Sequence, residues 1–310
     1  MSSSDEGFWT VLLGDGRSLF KLSALALIGA GTFVLFQSAT GHFLPHDTEF
    51  LGLDAKELCA YYGCRVVHFM MHDRVSFGGV LLAIGVMYLW LAEFPLRRGE
   101  SWAWWALAIS GGAGFLSFLA YLGYGYLDTW HGSATLALLP LYGFGLWRTR
   151  PLRQTRTRPV PIELRSTAGR GRLLLLIATG GIIVAGLTIM FVGATRVFVP
   201  QDLEFIRATR EQVAGINARL LPLIAHDRAG FGGALVSCGL AMFLAVWFGH
   251  PARNLWQALA TAGGIGFATA VGIHPVIGYT SISHLAPAVG GCLLFGLGMF
   301  WAYPRPGQAS

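Results

Sequence analysis

One short polar motif occurs twice in the chain. It reads HDRVSFGG at residues 72–79 and HDRAGFGG at residues 226–233, so six of its eight positions are identical. Histidine binds transition metals and titrates near neutral pH, a carboxylate can orient it, and arginine binds carboxylate or phosphate groups. We therefore predict a duplicated site for metal, redox or acid–base chemistry. The predicted catalytic residues are His72, Asp73, Arg74, His226, Asp227 and Arg228.

Two further polar patterns occur once in each half of the chain. The pattern Phe-x-Pro-x-Asp-x-Glu-Phe occupies residues 43–50 and 198–205, and a Gly-Tyr pair is followed five residues later by a histidine at 125–131 and 278–284. Their acidic and imidazole groups are suitable partners for the repeated motif, although Asp-x-Glu after a proline is also typical of a capped helix start. The predicted cofactor-binding residues are His131, His284, Asp47, Glu49, Asp202 and Glu204.

The histidines are the predicted ligands of a metal or other cofactor. We expect His72 to pair with His131 and His226 with His284, as one site in each half or as one shared site. One helical turn separates His68 from His72, and the second copy has a proline there. The chain has no His-Glu-x-x-His or Cys-x-x-Cys pattern, so the cofactor stays open between a transition metal, a haem and a quinone. The predicted metal ligands are His68, His72, His131, His226 and His284.

The composition excludes an ordinary soluble protein. Of 310 residues, 54% are hydrophobic and 12% are charged, and the mean hydropathy is +0.56, whereas roughly a quarter of the residues of soluble domains are charged. Apolar runs of about 20 residues recur, and in lipid such runs fold as helices, which satisfy their own backbone groups. We predict an all-α integral membrane protein with about eight transmembrane helices. The runs cover residues 19–38, 67–93, 102–124, 130–148, 172–195, 223–248, 255–274 and 283–303.

The arginines indicate the orientation of these helices. They cluster in the connections that follow every second run, at residues 97–98, 148–172, 253 and 305. The positive-inside rule places these connections and both termini in the cytoplasm, so the polar site faces outside, on the periplasm-like side of a bacterial inner membrane. The first run has no cleavage site and is predicted to be an uncleaved span. Because the net charge of +6 lies in connections, it does not indicate nucleic-acid binding.

The two halves of the chain correspond in their runs as well as in their polar positions. Each half holds four runs, an even number, so the second half enters the membrane in the same direction as the first. This predicts two tandem parallel four-helix repeats related by a pseudo-twofold axis along the membrane normal. The repeats cover residues 1–150 and 172–310, and an Arg-rich cytoplasmic linker covers residues 151–171. Glycine clusters at 111–115 and 263–267 predict close helix packing rather than a phosphate loop.

The four cysteines fall into two groups. Cys59 and Cys64 lie in the outer segment that follows the first run, where they can form a local disulfide, whereas Cys238 and Cys292 lie within spans. The second half has no equivalent of the outer pair. A disulfide between Cys59 and Cys64 would therefore be a local staple at most.

These features are compatible with three functions. The one we favour is a membrane-bound oxidoreductase or metal-dependent enzyme, in which a lipid-like or quinone ligand enters from the bilayer. The second is a proton-coupled small-molecule transporter, which parallel repeats support and the nearly uncharged centres of the spans oppose. The third is a structural or assembly subunit that binds a partner subunit in the membrane. A buried ion-pair network that only clamps the fold is the alternative to all three.

Overall fold

The architecture is helical throughout the part of the chain that the structure describes. The computed structural model describes residues 14–119, 125–126, 128–155 and 158–304. Apart from one bridge between Glu100 and Thr155, the regular structure of these residues is helix, so the predicted all-α class is confirmed. The helices are α1 (Arg17–Thr40), α2 (Pro45–Leu51), α3 (Ala55–Leu58), α4 (Arg65–Glu93), α5 (Ser101–Ser117), α6 (Thr129–Arg148), α7 (Thr167–Thr195), α8 (Pro200–Ile206), α9 (Arg210–Ile216), α10 (Leu220–Phe248), α11 (Arg253–Ile277) and α12 (Ile282–Trp301).

Six of these helices are long and apolar enough to cross a membrane, namely α1, α4, α7, α10, α11 and α12. The chain is therefore an integral membrane protein. The sequence predicts two more spans, and the corresponding helices fall short. Helix α5 has 17 residues, about 25 Å of helix against about 30 Å of hydrocarbon, and α6 has 20 residues but is less apolar. Residues 120–124, which complete the third predicted run, lie outside the described residues.

Helices α4 and α10, which carry the two copies of the motif, form the centre of the bundle. Each of these spans is 67% buried inside the protein, against 17–28% for the other four. Helix α4 packs on α1, α10 and α11, whereas α10 packs on α4, α5 and α7. At the periphery, α6 packs on α1 and α12 packs on α7. The motif is therefore carried by the two helices that are best shielded from lipid.

The glycine pair of the first motif lies at two helix crossings. A Cβ atom on Gly31 of α1 would lie 2.6 Å from the carbonyl oxygen of Gly78, and a Cβ atom on Gly79 would lie 1.8 Å from Thr269 Oγ1 of α11. Glycine lets helix backbones approach this closely because it has no side chain. The first glycine thus accommodates α1, and the second accommodates α11.

The glycine pair of the second motif has matching neighbours. A Cβ atom on Gly232 would lie 2.7 Å from the carbonyl oxygen of Gly186 in α7, and a Cβ atom on Gly233 would lie 2.2 Å from Ser117 Oγ of α5. Any larger residue would push these helices apart. Close packing therefore explains why both copies of the motif end in two glycines.

Four short helices, α2, α3, α8 and α9, cover the ends of α4 and α10 at which the motif lies. Pro45 and Pro200 open α2 and α8, where a missing N–H costs no helical hydrogen bond. Asp54 and Thr209 cap α3 and α9 with capping boxes. We call the apolar cluster beneath these helices the apolar cap; its members include Phe43, Leu51, Leu58, Phe69, Phe198, Phe205, Ile206 and Leu220.

The cysteines lie where the sequence predicts them. Cys59 and Cys64 are joined by a disulfide in the turn between α3 and α4. Cys238 in α10 and Cys292 in α12 are free thiols. The disulfide is thus a local link at the start of the helix that carries the first motif.

Candidate functional site

The motif lies in a polar layer between two apolar regions. On α4 the apolar cap ends at Met71 and the bundle core begins at Val80, and on α10 the cap ends at Ala225 and the core begins at Phe231. Polar and charged side chains are buried in the interval, and burial away from water strengthens their electrostatic interactions. The buried members of this layer are Asp47, His72, Asp73, Asp202, His226, Arg228 and His274.

Three histidines from three helices converge within this layer. We call His72 of α4, His274 of α11 and His284 of α12 the histidine triad. One ring nitrogen from each lies within 4.8 Å of the others, and the Nε2 atoms of His72 and His274 are 3.2 Å apart. His72 and His274 are only 5% and 3% exposed. The triad can therefore offer three neutral nitrogen ligands to one metal ion.

A carboxylate orients the first member of the triad. His72 Nδ1 lies 3.0 Å from Asp73 Oδ1, so the ring donates its Nδ1 proton to Asp73 and turns the Nε2 lone pair toward His274. The other oxygen of Asp73 lies 3.6 Å from Arg228 Nε. This carboxylate–histidine arrangement is typical of metal-binding histidines.

A tyrosine and an aspartate support the other side of the triad. The ring of Tyr279 stacks on His284 with centroids 4.2 Å apart, and its hydroxyl donates to Asp202 Oδ1 at 2.8 Å. Arg228 binds the second oxygen of the same carboxylate. Burial and the charge of Asp202 raise the pKa of the Tyr279 phenol above its ordinary value, which keeps the hydroxyl protonated and able to donate.

A second group of possible ligands lies on the other side of the motif layer. We call Asp128, His131 and His226 the carboxylate–histidine cluster; one ligand atom from each lies within 4.8 Å of the others. Asp128 Oδ1 accepts the backbone N–H of His131 at 2.9 Å, which caps α6, and Oδ2 lies 3.6 Å from His226 Nε2. Burial raises the pKa of Asp128, but hydrogen bonds from His226 and from the His131 backbone outweigh it, so the pKa is lowered.

The carboxylate–histidine cluster has the same kind of support as the triad. The Tyr126 hydroxyl donates to Asp47 Oδ1, and Arg74 Nη2 lies 2.9 Å from Asp47 Oδ2. Arg74 Nε also donates to Asp227 Oδ2 at 2.8 Å. Burial and the charge of Asp47 raise the pKa of the Tyr126 phenol above its ordinary value. Each group of histidines is thus flanked by one Tyr–Asp–Arg chain.

His72 and His226 each meet a histidine of the opposite half of the chain. His72 meets His284 in the histidine triad, and His226 meets His131 in the other cluster, whereas the sequence-based pairing joined His72 with His131 and His226 with His284. The reason is the packing: α11 of the second half packs on α4 and α12 brings His284 to His72, whereas α6 of the first half brings His131 to His226 of α10. All four histidines nevertheless lie in the predicted layer.

Five predicted ligands belong to neither group, namely Asp47, Glu49, His68, Asp202 and Glu204. Of these, Asp47 and Asp202 bind the tyrosines that flank the two groups. Glu49 and Glu204 are exposed, whereas Asp47 and Asp202, two residues earlier, are buried. Because successive helical residues turn by about 100°, positions two apart face nearly opposite sides of α2 and α8. His68 is half-buried one turn before His72 and belongs to neither group.

Four functional residues escaped the sequence-based site. His274 has no histidine counterpart in the first half, so the search for repeated positions passed over it, although a histidine inside an apolar run is itself a signal. Asp128 lies two residues after a Gly-Tyr pair and just before an apolar run, a position typical of a helix N-cap. Tyr126 and Tyr279 belonged to a repeated pattern, and only the structure shows that they bind Asp47 and Asp202.

Comparison with known proteins adds no assignment. No protein-family model, no curated protein and no solved structure matches the chain. What stands is a helical membrane protein with buried histidine, aspartate and arginine groups, some of which are arranged as metal ligands.

Proposed function

We propose that this chain is a metal-dependent membrane oxidoreductase whose metal centre is the histidine triad. The observation that carries the proposal is the convergence of His72, His274 and His284 from three helices. Two nitrogens bound to one tetrahedral metal at about 2.0–2.1 Å lie roughly 3.3–3.4 Å apart. The 3.2 Å between the Nε2 atoms of His72 and His274 agrees with that spacing.

A hydrogen bond between two neutral imidazoles is the competing explanation of this distance. The third ring and the carboxylate behind the first favour a metal. A hydrogen-bonded imidazole pair needs only two rings. A third ring nitrogen, that of His284, lies close to the nitrogens of His72 and His274, and a metal ion explains its presence. Asp73 fixes the His72 tautomer that leaves Nε2 as a ligand.

The ligand set indicates the kind of metal centre. Imidazole ligands suit zinc, copper, iron and nickel, and three protein ligands leave a coordination position open for reaction. Hydrolysis at such a centre needs water at the metal. His72 and His274 are 5% and 3% exposed beneath the apolar cap, which favours redox chemistry on a membrane-soluble substrate.

The proposed architecture is a pair of parallel four-helix repeats around this layer, with the third span of each repeat completed by α5 or α11. The crossed ion pairs and the matched glycine contacts support it, because these contacts of α4 have counterparts at α10. Arg17 and Arg172, at equivalent places, both donate to carbonyls at the ends of the central helices, Ala92 and Val246. With the Arg-rich linker and both termini in the cytoplasm, the site faces outside.

Cobalt substitution tests the proposed centre. The apoprotein in mild detergent is titrated with Co²⁺, which gives intense visible bands when bound tetrahedrally by nitrogen ligands. We expect these bands for the wild type and for His68→Ala, a control histidine on α4 that lies outside both clusters. We expect His274→Ala to lose them. Bands of equal strength in His274→Ala, or none in the wild type, would contradict the proposal.

A further inference from the structure

A narrow apolar cavity lies between α1, α4, α5, α6 and α10. Its volume is about 310 Å³, within the usual range of small-molecule sites. It follows α6 from His131 to Tyr142, and these twelve residues correspond to about 18 Å of helix. Most of its wall is apolar, as at Leu27, Phe77 and Leu138. The length and lining suit a hydrocarbon chain.

The two ends of this cavity differ. At one end it reaches Asp128 and His131, and a smaller cavity of about 80 Å³ continues from there to His226. At the other end lie Tyr88 and Tyr142, whose hydroxyls bond to Ser110 Oγ at 2.8 Å and to the carbonyl of Leu107 at 2.8 Å. The tyrosine hydroxyls at this end thus make their hydrogen bonds within the protein. The polar head of a bound molecule would therefore lie at the other end, beside the carboxylate–histidine cluster.

The cavity opens toward the lipid between α1 and α6. Ala30 and Phe33 of α1 and Trp130 and Ala134 of α6 line it and are also exposed on the outside of the bundle. Small alanine side chains leave the gap between the two helices open at its middle. A molecule dissolved in the bilayer can therefore enter sideways.

The charges at the head end select among membrane lipids. Asp47, Asp128 and Asp227 line the head end with one guanidinium, that of Arg74, which binds Asp47 and Asp227. Asp128 lies beside the imidazoles of His46 and His226 instead. A phosphate or carboxylate head would meet this excess of negative charge and be repelled. A neutral head that donates and accepts hydrogen bonds would find carboxylate acceptors and imidazole groups.

We propose that this cavity binds one neutral lipid with a hydroxyl- or quinone-type head, its chain along α6 and its head at the carboxylate–histidine cluster. The head then lies at the carboxylate–histidine cluster and not at the histidine triad, so this lipid site is additional to the proposed metal centre and does not rest on it. Binding of the lipid can be measured on protein that holds no metal and catalyses no reaction.

The test uses variants that close the lateral opening. Ala30→Phe and Ala134→Phe place a ring in the gap at exposed positions, so folding is preserved. Leu136→Phe, on the lipid-facing side of the same helix and outside the cavity, is the matched control. Each purified protein is incubated with a radiolabelled short-chain benzoquinol, and a fatty acid of matched chain length serves as competitor. We expect both closing variants to weaken quinol binding by about tenfold or more and the control to bind as the wild type does.

Three results would overturn this proposal. One is full quinol binding in both closing variants, and another is equally strong competition by the fatty acid. The third is a wild type that binds no quinol but binds a metal that His131→Ala fails to bind. That result would make the carboxylate–histidine cluster a metal site instead. Absence of quinol binding in a wild type that shows the Co²⁺ bands refutes only the lipid site. Intact quinol binding without Co²⁺ bands refutes only the metal centre.

Discussion

Arg74 of the first motif donates through Nε to Asp227 of the second at 2.8 Å and joins the two central helices. Arg228 lies in the reciprocal position, with Nε 3.6 Å from Asp73 Oδ2. Each arginine also binds the aspartate of its own short outer helix. The aspartate of each motif thus faces the arginine of the other motif. This reciprocal contact requires both copies to carry the aspartate and the arginine in the same order.

The crossed pair predicts a large stability effect. Arg74 and Asp227 are 12% and 11% exposed, so Arg74→Ala leaves a buried carboxylate short of its partner and should cost about 3–5 kcal/mol. The double variant Arg74→Met/Asp227→Leu should recover much of the loss. Arg97→Ala, which breaks an exposed pair with Glu93, should cost less than about 1 kcal/mol. Thermal unfolding in detergent measures all three, and equal midpoints for Arg74→Ala and Arg97→Ala would refute this account.

The glycine contacts predict a second pair of outcomes. Gly79→Ala places a methyl group 1.8 Å from Thr269 Oγ1 and should destabilise the fold by about 1–3 kcal/mol. Adding Thr269→Gly should restore most of the stability, because it removes the clashing side chain. Gly112→Ala, with nothing within 4 Å of its Cβ position, is the control and should be neutral. The unfolding midpoint reports each change, and a wild-type midpoint in Gly79→Ala would exclude the close crossing with α11.

The carboxylate behind the triad predicts a graded loss of metal affinity. Asp73→Asn keeps all three histidines but weakens the acceptor that orients His72, and losing such a partner typically lowers metal affinity by about 10–100-fold. Glu49 is an exposed acid on the short helix α2, so Glu49→Gln should leave the metal affinity unchanged. Competition with a coloured chelator measures both. An unchanged affinity in folded Asp73→Asn would show that His72 does not depend on this carboxylate.

The proposed orientation predicts opposite labelling of two exposed positions. Glu49→Cys on α2 and Arg165→Cys in the linker are made in a background with Cys238 and Cys292 replaced by serine. The positive-inside rule places the Arg-rich linker in the cytoplasm in this proposal, so a membrane-impermeant maleimide should label position 49 in intact cells and position 165 only after lysis. Labelling of both from outside would contradict the proposed topology.

Much of the membrane architecture and the position of the polar layer followed from the sequence. Hydrophobic runs specify membrane helices because lipid leaves the backbone no other partner. Repetition of His72 and His226 marked the layer, since an ionisable residue in an apolar helix is costly to keep without a role. Both histidines are buried in this layer, each in one of the two groups that could hold a metal ion.

The partners of these histidines could not be read in the same way. A search for repeated positions finds residues that occur twice, and His274 occurs once. The pairing of His72 with His284 depends on which helices pack together, and periodicity along one helix carries no information on that choice. The exposure of Glu49 depended on the start of α2 at Pro45, since moving the start by one residue rotates the face by about 100°.

Metal stoichiometry in three matched proteins tests the central claim most directly. Wild type, His284→Ala and His68→Ala are purified in mild detergent, loaded with Zn²⁺, Cu⁺ or Fe²⁺, freed of excess metal and analysed by elemental mass spectrometry. The histidine triad predicts that His284→Ala binds one metal equivalent fewer per chain than the wild type, and that His68→Ala binds as much as the wild type. An unchanged stoichiometry in folded His284→Ala would contradict it.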